Sequence, residues 1–536
     1  MSNRNLIFAK DDKYEIYKFN KTNLVKALYN NIYPKEKIES SKLFRYLVEY
    51  FTYHSAEKSQ ARTIIVEKEY ISESYLNDIR LFYWSNFKSY PKFCRRLHFF
   101  GEEFSKKELQ DYILQNDKKF FEDNYLGYLV VKPTGNSLLG PTFLKTYGDS
   151  INNERHYNSV VDMKINLFGI EIPIRGLVFQ EQDGAVGVCA TQAIWSAMNK
   201  LSSLFRIDML SPSEISSYGG LGSKGRVFPN SGLSNDQIFK IFRKAKLTVE
   251  LMALSENGRK KIDKKLFKRI VYAYNRIGIP ILLGYFGING KGSSLSREGQ
   301  RHLVTIIGYR IDKTNRTTSV GINTLADNLF RLYVHNDQIG PYTKIGFDEK
   351  PTRGEYEIQS NWIGSNNENV VYDSLLVPLK NSIRIRYQNI LQSTTKIDRI
   401  VKQILKAPVV IEWDIYLDKS TNYKRDILLQ DIDDRHKMRI SVESFPKYIW
   451  VARLNTIPSD TSKELKFDIL FDSSESPTSF CIHRVFYYDL KLGIRIVDAL
   501  DKDGLKPLSN LLPSGNLSET HIIKYKEEFD KSFNYI

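Results

Sequence analysis

One part of the sequence limits the fold more than any other: a helix-patterned run that is followed, further along the chain, by three strand-patterned runs. The helical run is CATQAIWSAMNKLSSLF, Cys189–Phe205, in which alanine and methionine favour a helix and Trp195, Met198 and Leu201 share one apolar face. The strand runs are IPILLGYFGI, HLVTIIGYRI and FRLYVHND. Runs of this length that are rich in apolar, β-branched and aromatic residues are typical of buried strands. The pattern predicts a buried helix beside a sheet.

The 536 residues exceed what one hydrophobic core can organise, because single cores stop growing at about 250–300 residues. Changes in pattern predict an N-terminal α+β domain over residues 1–158, a central domain over 159–379 and a C-terminal α/β or α+β domain over 380–536. The predicted strands of the last domain are PVVIEWDIYL, RISVESFPKYIWVARL, KELKFDILFD and FCIHRVFYYDL, and SETHIIKYKEEFDKSF predicts a closing helix. The predicted fold class is multidomain α+β.

Composition and cysteine use bear on the compartment. Hydrophobic residues make up 42% and charged residues 26%, which is the ordinary globular range. The N-terminus lacks the apolar run of a signal peptide, and no segment approaches a membrane span. Cys94, Cys189 and Cys481 lie far apart without C-x-x-C spacing, which argues against a disulfide framework or a zinc ribbon. We therefore expect a cytoplasmic protein with reduced thiols and no membrane partner.

The net charge of +16 and pI near 9.3 raise the hypothesis of nucleic-acid binding. The charge is most concentrated in RKKIDKKLFKRI, residues 259–270, where Ile262, Leu266, Ile270 and Tyr274 recur every four residues. This spacing predicts an amphipathic helix whose lysines face water. A second candidate, the basic aromatic segment of residues 82–100, could stack on single-stranded bases, but the same residue types are abundant along the whole chain. Nucleic acid is the less favoured partner.

Cys189 is the first residue of the predicted helix. The free backbone N–H groups and the dipole at a helix start favour a negative charge there, which favours a thiolate. Gly184 and Gly187 suit a turn that leads into the helix. The alternative is a small apolar residue that packs in a core, which is common for cysteine.

A cysteine nucleophile needs a base, and the base needs an orienting acceptor. His302 is predicted to begin an apolar strand, with its ring at the end of the sheet. The next predicted strand ends in His335, Asn336 and Asp337, so that a carboxylate or an amide emerges at the same edge. Taken singly, each residue has a structural alternative: core packing for the cysteine, a satisfied polar group for the histidine and a turn cap for the aspartate.

The order Cys, His, Asp resembles that of papain-like cysteine peptidases, most closely the branch that includes the bacterial double-glycine leader peptidases. The resemblance lies in QDGAVGVCATQAIW, GIPILLGYF, RHLVTIIGYR and LYVHNDQIGP and covers about 220 of the 536 residues. It implies that Cys189 is the nucleophile, His302 the general base and Asp337 the orienting acid. It also implies an upstream glutamine that lines the oxyanion hole with the Cys189 backbone N–H. Gln182 is preferred to Gln180 for this role, although it stands one residue further from the cysteine than is usual in the family, and Asp337 is preferred to Asn336.

The same resemblance implies a central papain-like domain that hydrolyses peptide or isopeptide bonds of a protein or peptide through an acyl-enzyme, without a cofactor. Three roles stay open for the flanking domains: recognition of substrate, inhibition of the protease until a regulatory protein binds, and assembly. Acyl transfer to an amine, an inert papain-like scaffold and a basic nucleic-acid-binding protein remain alternatives. Cys481 and His483 in FCIH have no further ligands nearby in sequence, so we expect strand packing there and no metal site.

Overall fold

The computed structural model describes residues 13–488 apart from 54–59, 82, 86, 136, 149–154, 184–188, 221–231, 257–258, 261–262, 290–295, 313–320, 348–358, 364–368, 405–409, 458–463 and 477–481. The protein is mixed α and β, as predicted, and over the described residues it divides into two compact units. The first comprises Met1–Asp263, Gly278–Arg310 and Phe330–Leu379, and the second comprises Lys264–Ile277, Ile311–Leu329 and Lys380–Ile536. The three-domain division of the sequence stays a prediction.

The first part of unit 1 is an antiparallel sheet with helices. Its elements are β1 (Tyr14–Lys18), α1 (Lys21–Leu28), α2 (Lys35–Ser40), α3 (Lys42–Tyr53), β2 (Thr63–Tyr70), α4 (Glu73–Leu81), a 3-10 turn (Tyr83–Ser85), β3 (Cys94–Phe100), α5 (Lys106–Leu114), α6 (Lys118–Asn124), β4 (Tyr125–Val131) and β5 (Leu139–Leu144). Among the described residues the five strands pair in chain order, each with the next. Local signals set the helix starts: the Ser105 hydroxyl accepts from the Glu108 N–H, and the Glu108 carboxylate accepts from the Ser105 N–H, so α5 has a complete capping box.

The remainder of unit 1 contains β6 (Arg155–His156), β7 (Val161–Leu167), β8 (Ile170–Gly176), α7 (Cys189–Phe205), α8 (Pro212–Tyr218), α9 (Asn235–Lys244), β9 (Leu247–Ala253), β10 (Ser255–Glu256) and β11 (Arg259–Lys260). After α10 (Lys264–Asn275), which belongs to unit 2, follow β12 (Ile281–Asn289), β13 (Ser296–Ile311), β14 (Leu329–Asn336), β15 (Gly340–Ile345), β16 (Gln359–Ile363) and β17 (Asn369–Lys380). In the part of the chain that the structure describes, β12 to β17 pair in order and β12 also pairs with β17, so this sheet closes on itself, with β9 and β6 attached.

Unit 2 contains a second antiparallel sheet. Besides α10 and a 3-10 turn (Leu325–Asn328), its elements are α11 (Tyr387–Ile404), β18 (Val410–Lys419), α12 (Ser420–Leu428), α13 (Asp434–Val442), β19 (Tyr448–Ile457), β20 (Glu464–Asp472) and β21 (Ile482–Tyr487). The described strands pair in chain order. At the sheet centre, Arg453 forms a bidentate ion pair with the buried Asp468, at 2.9 and 3.0 Å.

Two segments differ from their predicted structure. RISV, residues 439–442, lies in α13 rather than in a strand, because Asp433 caps the helix by accepting from the Arg435 N–H. The basic helix begins at Lys264, not at Arg259, since Arg259 and Lys260 form the short strand β11. The predicted C-terminal helix, residues 518–533, lies outside the described residues.

No helix among the described residues is both long enough and apolar enough to cross a membrane.

Candidate active site

Helix α7 begins at Cys189 and ends at Phe205, as predicted. Most of its residues are buried, whereas Cys189 itself is half-exposed at the first position. The Thr305 hydroxyl of β13 donates to the Ala193 carbonyl at 2.8 Å, which ties the first turns of the helix to the sheet. The thiol therefore lies at the partly open end of an otherwise buried helix, next to strand β13.

His302 lies within β13 rather than at its start, because the strand begins at Ser296. The prediction of a strand-leading histidine is wrong in this respect. The pairing of β12 with β13 shifts register between Tyr285 and Gly287, and His302 is the first residue that pairs regularly beyond the shift, opposite Tyr285. The Tyr285 ring packs edge-on against the imidazole, with centroids 5.1 Å apart. The irregular pairing, not a strand end, sets the position of this ring.

Asp337 directly follows β14 and faces His302. Its Oδ1 lies 3.0 Å from Nε2, and the side chains are 5% and 9% exposed. The ring N–H does not point along this line, so the contact is a charge pair rather than an aligned hydrogen bond. Within the described part of the chain, Oδ2 of Asp337 has no hydrogen-bond partner. The Asp337 carboxylate is thus buried, and the His302 ring is the cation next to it.

The surroundings of His302 favour the imidazolium. Burial opposes the charge, but the Asp337 carboxylate and, to a smaller extent, hydrogen bonding and charge at Cys189 raise the pKa of His302 from 6.5 to about 10. The ring therefore carries a proton at neutral pH.

Asn336, the alternative to Asp337, has other partners. Its amide donates to the Tyr285 hydroxyl at 3.2 Å, and its Oδ1 accepts from the Gln338 N–H at 3.0 Å. It therefore supports the tyrosine that packs on His302, while the neighbouring carboxylate contacts the ring.

The two candidate glutamines upstream of Cys189 differ in exposure. Gln180 is buried, and its Oε1 accepts from the Ser74 hydroxyl at 3.5 Å. Gln182 is half-exposed. Gly184 and Gly187, for which the sequence predicts a turn, lie outside the described residues.

The neighbours of Gln182 form contacts that sequence reasoning missed. Glu181 accepts from the backbone N–H groups of Leu138 and Leu139, at 2.8 and 2.9 Å. Asp183 accepts from the Tyr83 hydroxyl and lies near Lys132. No local pattern signals these contacts, because the partners stand 42 or more residues earlier in the chain.

A second histidine approaches α7 deeper in the core. The Ser196 hydroxyl donates to the Val178 carbonyl at 2.7 Å and contacts Nδ1 of His335 at 3.1 Å, and that nitrogen lies 3.2 Å from the same carbonyl. Nδ1 therefore carries the ring proton, and Nε2 is buried without a hydrogen-bond partner among the described residues. Burial lowers the pKa of His335 from 6.5 to about 3. This ring stays neutral.

The two basic segments that were considered for nucleic-acid binding contain both buried and exposed side chains. In residues 82–100, the side chains of Trp84 and Phe87 are exposed, whereas those of Cys94 and Leu97 are buried in β3. In α10, Ile270 and Tyr274 are buried and Lys265 is exposed, which follows the predicted amphipathic pattern, and Ile262 lies outside the described residues. Arg269 of the same helix turns inward to Asp327, with contacts of 2.7 and 2.8 Å. It is therefore not part of a basic surface.

Across the described residues, no group of three or more His, Cys, Asp or Glu side chains is placed to hold a metal ion. Cys481 lies outside them, and Nε2 of His483 contacts the Ser444 carbonyl at 3.3 Å.

The candidate site is a half-exposed thiol beside a protonated imidazole that is paired with a buried carboxylate. No protein-family model matches this sequence, and no curated protein matches it either.

Proposed function

We propose that this chain is a cysteine protease with a papain-like central domain, in which Cys189 is the nucleophile, His302 the acid–base group and Asp337 the orienting acid. One observation carries the proposal: residues that are 148 positions apart at their extremes meet at the start of α7, where Asp337 is 3.0 Å from His302 and Cys189 raises the pKa of the same ring. A half-exposed thiol, a base and an orienting acceptor are the components that nucleophilic acyl transfer requires.

In the first step the Cys189 thiolate attacks the substrate carbonyl carbon and forms a C–S bond. The carbonyl electrons move to the oxygen, where the Gln182 amide and the Cys189 backbone N–H donate hydrogen bonds. As the tetrahedral intermediate collapses, the C–N bond breaks and the His302 imidazolium gives its proton to the departing amine. The product is a thioester of Cys189 and a free amine.

In the second step water hydrolyses the thioester. His302, now neutral, takes a proton from the attacking water, and the C–S bond breaks. The acid product leaves, and the thiolate–imidazolium pair is restored. Asp337 holds the ring in place and stabilises its charge throughout, without accepting the proton.

Peptide-bond hydrolysis is the preferred reaction, since it requires only the nucleophile, the acid–base group, the orienting acid and the oxyanion donors described above. Isopeptide cleavage and transfer to an amine use the same steps, with a lysine side chain as leaving group or an amine in place of water. A reducing, cytoplasmic setting suits a free thiol such as Cys189. The proposal favours an active enzyme over an inert scaffold, because Asp337 lies 3.0 Å from the His302 ring and Cys189 also interacts with that ring.

The test is covalent labelling with a thiol-directed peptide probe, followed by mass-spectrometric mapping of the labelled residue. Cys94 provides the matched control, because burial raises its pKa to about 12 and its thiol is inaccessible. Wild type and Cys94→Ala should be labelled at residue 189, and Cys189→Ala should not.

Hydrolysis of a peptide library should show the same pattern. Labelling that persists in Cys189→Ala, or a folded wild type that is neither labelled nor active on peptides, isopeptides or amine acceptors, would contradict the proposal.

A further inference from the structure

Residues 179–183, upstream of Cys189, contact the N-terminal sheet and the elements next to it. Phe179 and Thr142 of β5 exchange backbone hydrogen bonds of 2.7 and 2.8 Å. Two residues later, the Glu181 carboxylate receives the N–H groups of Leu138 and Leu139, where β5 begins. The chain thus runs beside β5 until it reaches Gln182.

Asp183 continues this attachment on the other side of Gln182. Its Oδ2 accepts from the Tyr83 hydroxyl at 3.2 Å and lies 3.9 Å from the Lys132 ammonium, and the side chains of Asp183 and Lys132 are each 2% exposed. Tyr83 belongs to the turn after α4, and Lys132 directly follows β4. Elements of the N-terminal part of the chain therefore hold the residues on either side of Gln182.

Lys132 lies among three carboxylates. Besides Asp183, its charge acts on Glu181 and on Asp78, which accepts from the Ser213 hydroxyl at 2.8 Å. Burial raises the pKa of Asp78 to about 6 and also raises the pKa of Glu181, while Lys132 opposes both shifts. The Asp337 charge also raises the pKa of Glu181, so this cluster is electrostatically coupled to the partner of His302. Such a buried, paired group keeps one arrangement, because the lysine without its carboxylates would be an uncompensated buried charge.

We infer that Glu181, Asp183 and Lys132 are positioning residues that hold Gln182 with its amide toward the substrate carbonyl at Cys189. The inference rests on the proposed function and assigns a role to the N-terminal region that the sequence left open. The carboxylates on both sides of Gln182 are held by residues of the N-terminal part of the chain, whereas Gln182 itself is half-exposed, so the backbone is fixed on either side of a side chain that is not buried. A donor that is held before the reaction starts stabilises the oxyanion without paying for reorganisation.

The test separates oxyanion stabilisation from thiol reactivity. Iodoacetamide alkylates the thiolate by displacing iodide at a saturated carbon, so no oxyanion develops in that reaction. Asp183→Asn and Glu181→Ala should lower kcat on a peptide substrate by about 10- to 100-fold with little change in KM, whereas Gln182→Ala should lower it by about 10²- to 10³-fold. The rate and pH profile of iodoacetamide alkylation at Cys189 should stay within about 2-fold of wild type in all three variants. In Gln182→Ala/Asp183→Asn, kcat should match that of Gln182→Ala alone, because the two residues act through one donor.

Glu67→Gln is the matched control. Glu67 is a partly buried carboxylate of the same N-terminal sheet that pairs with Arg96 and His98. This variant should lower the melting temperature and leave kcat unchanged. If Asp183→Asn does not fold, Tyr83→Phe removes the hydroxyl that donates to Asp183 and should show the same split with a loss of about 3- to 10-fold.

An active wild type together with fully active Glu181→Ala and Asp183→Asn variants overturns this inference and leaves the proposed function standing. Equal losses of alkylation and hydrolysis also overturn it, since they indicate a merely structural role. A wild type that hydrolyses nothing overturns the proposed function, and the inference with it.

Discussion

Two positions along the contact between α7 and the sheet hold a histidine each, and the electrostatics of the two rings are opposite. At the helix start, His302 faces a carboxylate and a half-exposed thiol, and its pKa is raised to about 10. Seven residues further along the helix, Ser196 faces His335, whose Nδ1 donates to a backbone carbonyl and whose pKa is lowered to about 3.

The comparison shows that a nucleophile beside a histidine does not by itself make a candidate site. Burial disfavours the imidazolium in both places. At His302 the interactions with Asp337 and Cys189 together exceed that penalty, whereas at His335 the hydrogen bond to a neutral carbonyl does not. We therefore interpret Cys189 and His302 as the candidate catalytic pair, and Ser196 and His335 as a structural link between α7 and β14.

The largest expected effect separates the two nucleophiles. Cys189→Ala should reduce peptide hydrolysis by about 10⁴-fold or more, because the attacking group is lost. Ser196→Ala should change it by less than about 3-fold, because Ser196 makes structural contacts. Steady-state kinetics on matched folded samples measures both, and a comparable loss in Ser196→Ala would break the comparison.

The next largest effect concerns the acceptor. Asp337→Asn should lower kcat by about 10²- to 10⁴-fold, since the ring loses the charge that orients it and stabilises its protonated form. The same change should lower the pKa of His302 and move the alkaline limb of the pH–rate profile to lower pH.

Asn336→Ala serves as the control for that variant. It removes the contact with Tyr285 but not the charge, so its loss should be about 10-fold or less and the alkaline limb should stay in place. A larger loss in Asn336→Ala than in Asp337→Asn would exchange the roles of the two residues.

A stability measurement tests the structural role of His335. His335→Ala should lower the free energy of unfolding by about 2–4 kcal/mol, because it opens a cavity and removes a donor to the Val178 carbonyl. The folded fraction should keep its activity. His483→Ala, at a half-exposed ring, should cost less than about 0.5 kcal/mol in urea denaturation. An equal loss of unfolding free energy in His335→Ala and His483→Ala would contradict the structural role of His335.

The last prediction concerns the pH dependence of stability, which should have opposite signs for the two rings. The folded-state pKa of His302 lies above the unfolded value, so its stabilisation is complete below pH 6.5 and is lost as the pH rises toward 10. The folded-state pKa of His335 lies below it, so its contribution is present above pH 6.5 and is lost as the pH falls toward 3.

Urea denaturation across these two ranges of pH provides the measurement. Asp337→Asn should weaken the alkaline loss of stability, and His335→Phe should weaken the acidic loss. If Asp337→Asn does not change the pH dependence of stability above pH 6.5, the assignment for His302 is wrong. If His335→Phe does not change it below pH 6.5, the assignment for His335 is wrong.

Much of the local structure near the site could be predicted from sequence, because it depends on neighbouring residues. Apolar periodicity predicts α7 with its observed ends, and β12 to β14 overlap the predicted strand runs. Prediction fails where a distant partner or a cap outweighs the pattern. β13 extends back to Ser296 through its pairing with β12, and RISV becomes helical because Asp433 caps α13. Nothing local distinguishes Glu181 and Asp183 from solvated carboxylates.

By itself, then, the sequence determined which residue types stand at the start of α7, within β13 and after β14, since hydrophobic spacing and turn residues act over a few positions. Tertiary structure decided which of them meet: Asp337 rather than Asn336 at the His302 ring, and Glu181 and Asp183 at the N-terminal sheet. The physical reason is that charge pairing and burial depend on distances in space, and these distances arise only when segments more than 30 positions apart pack together.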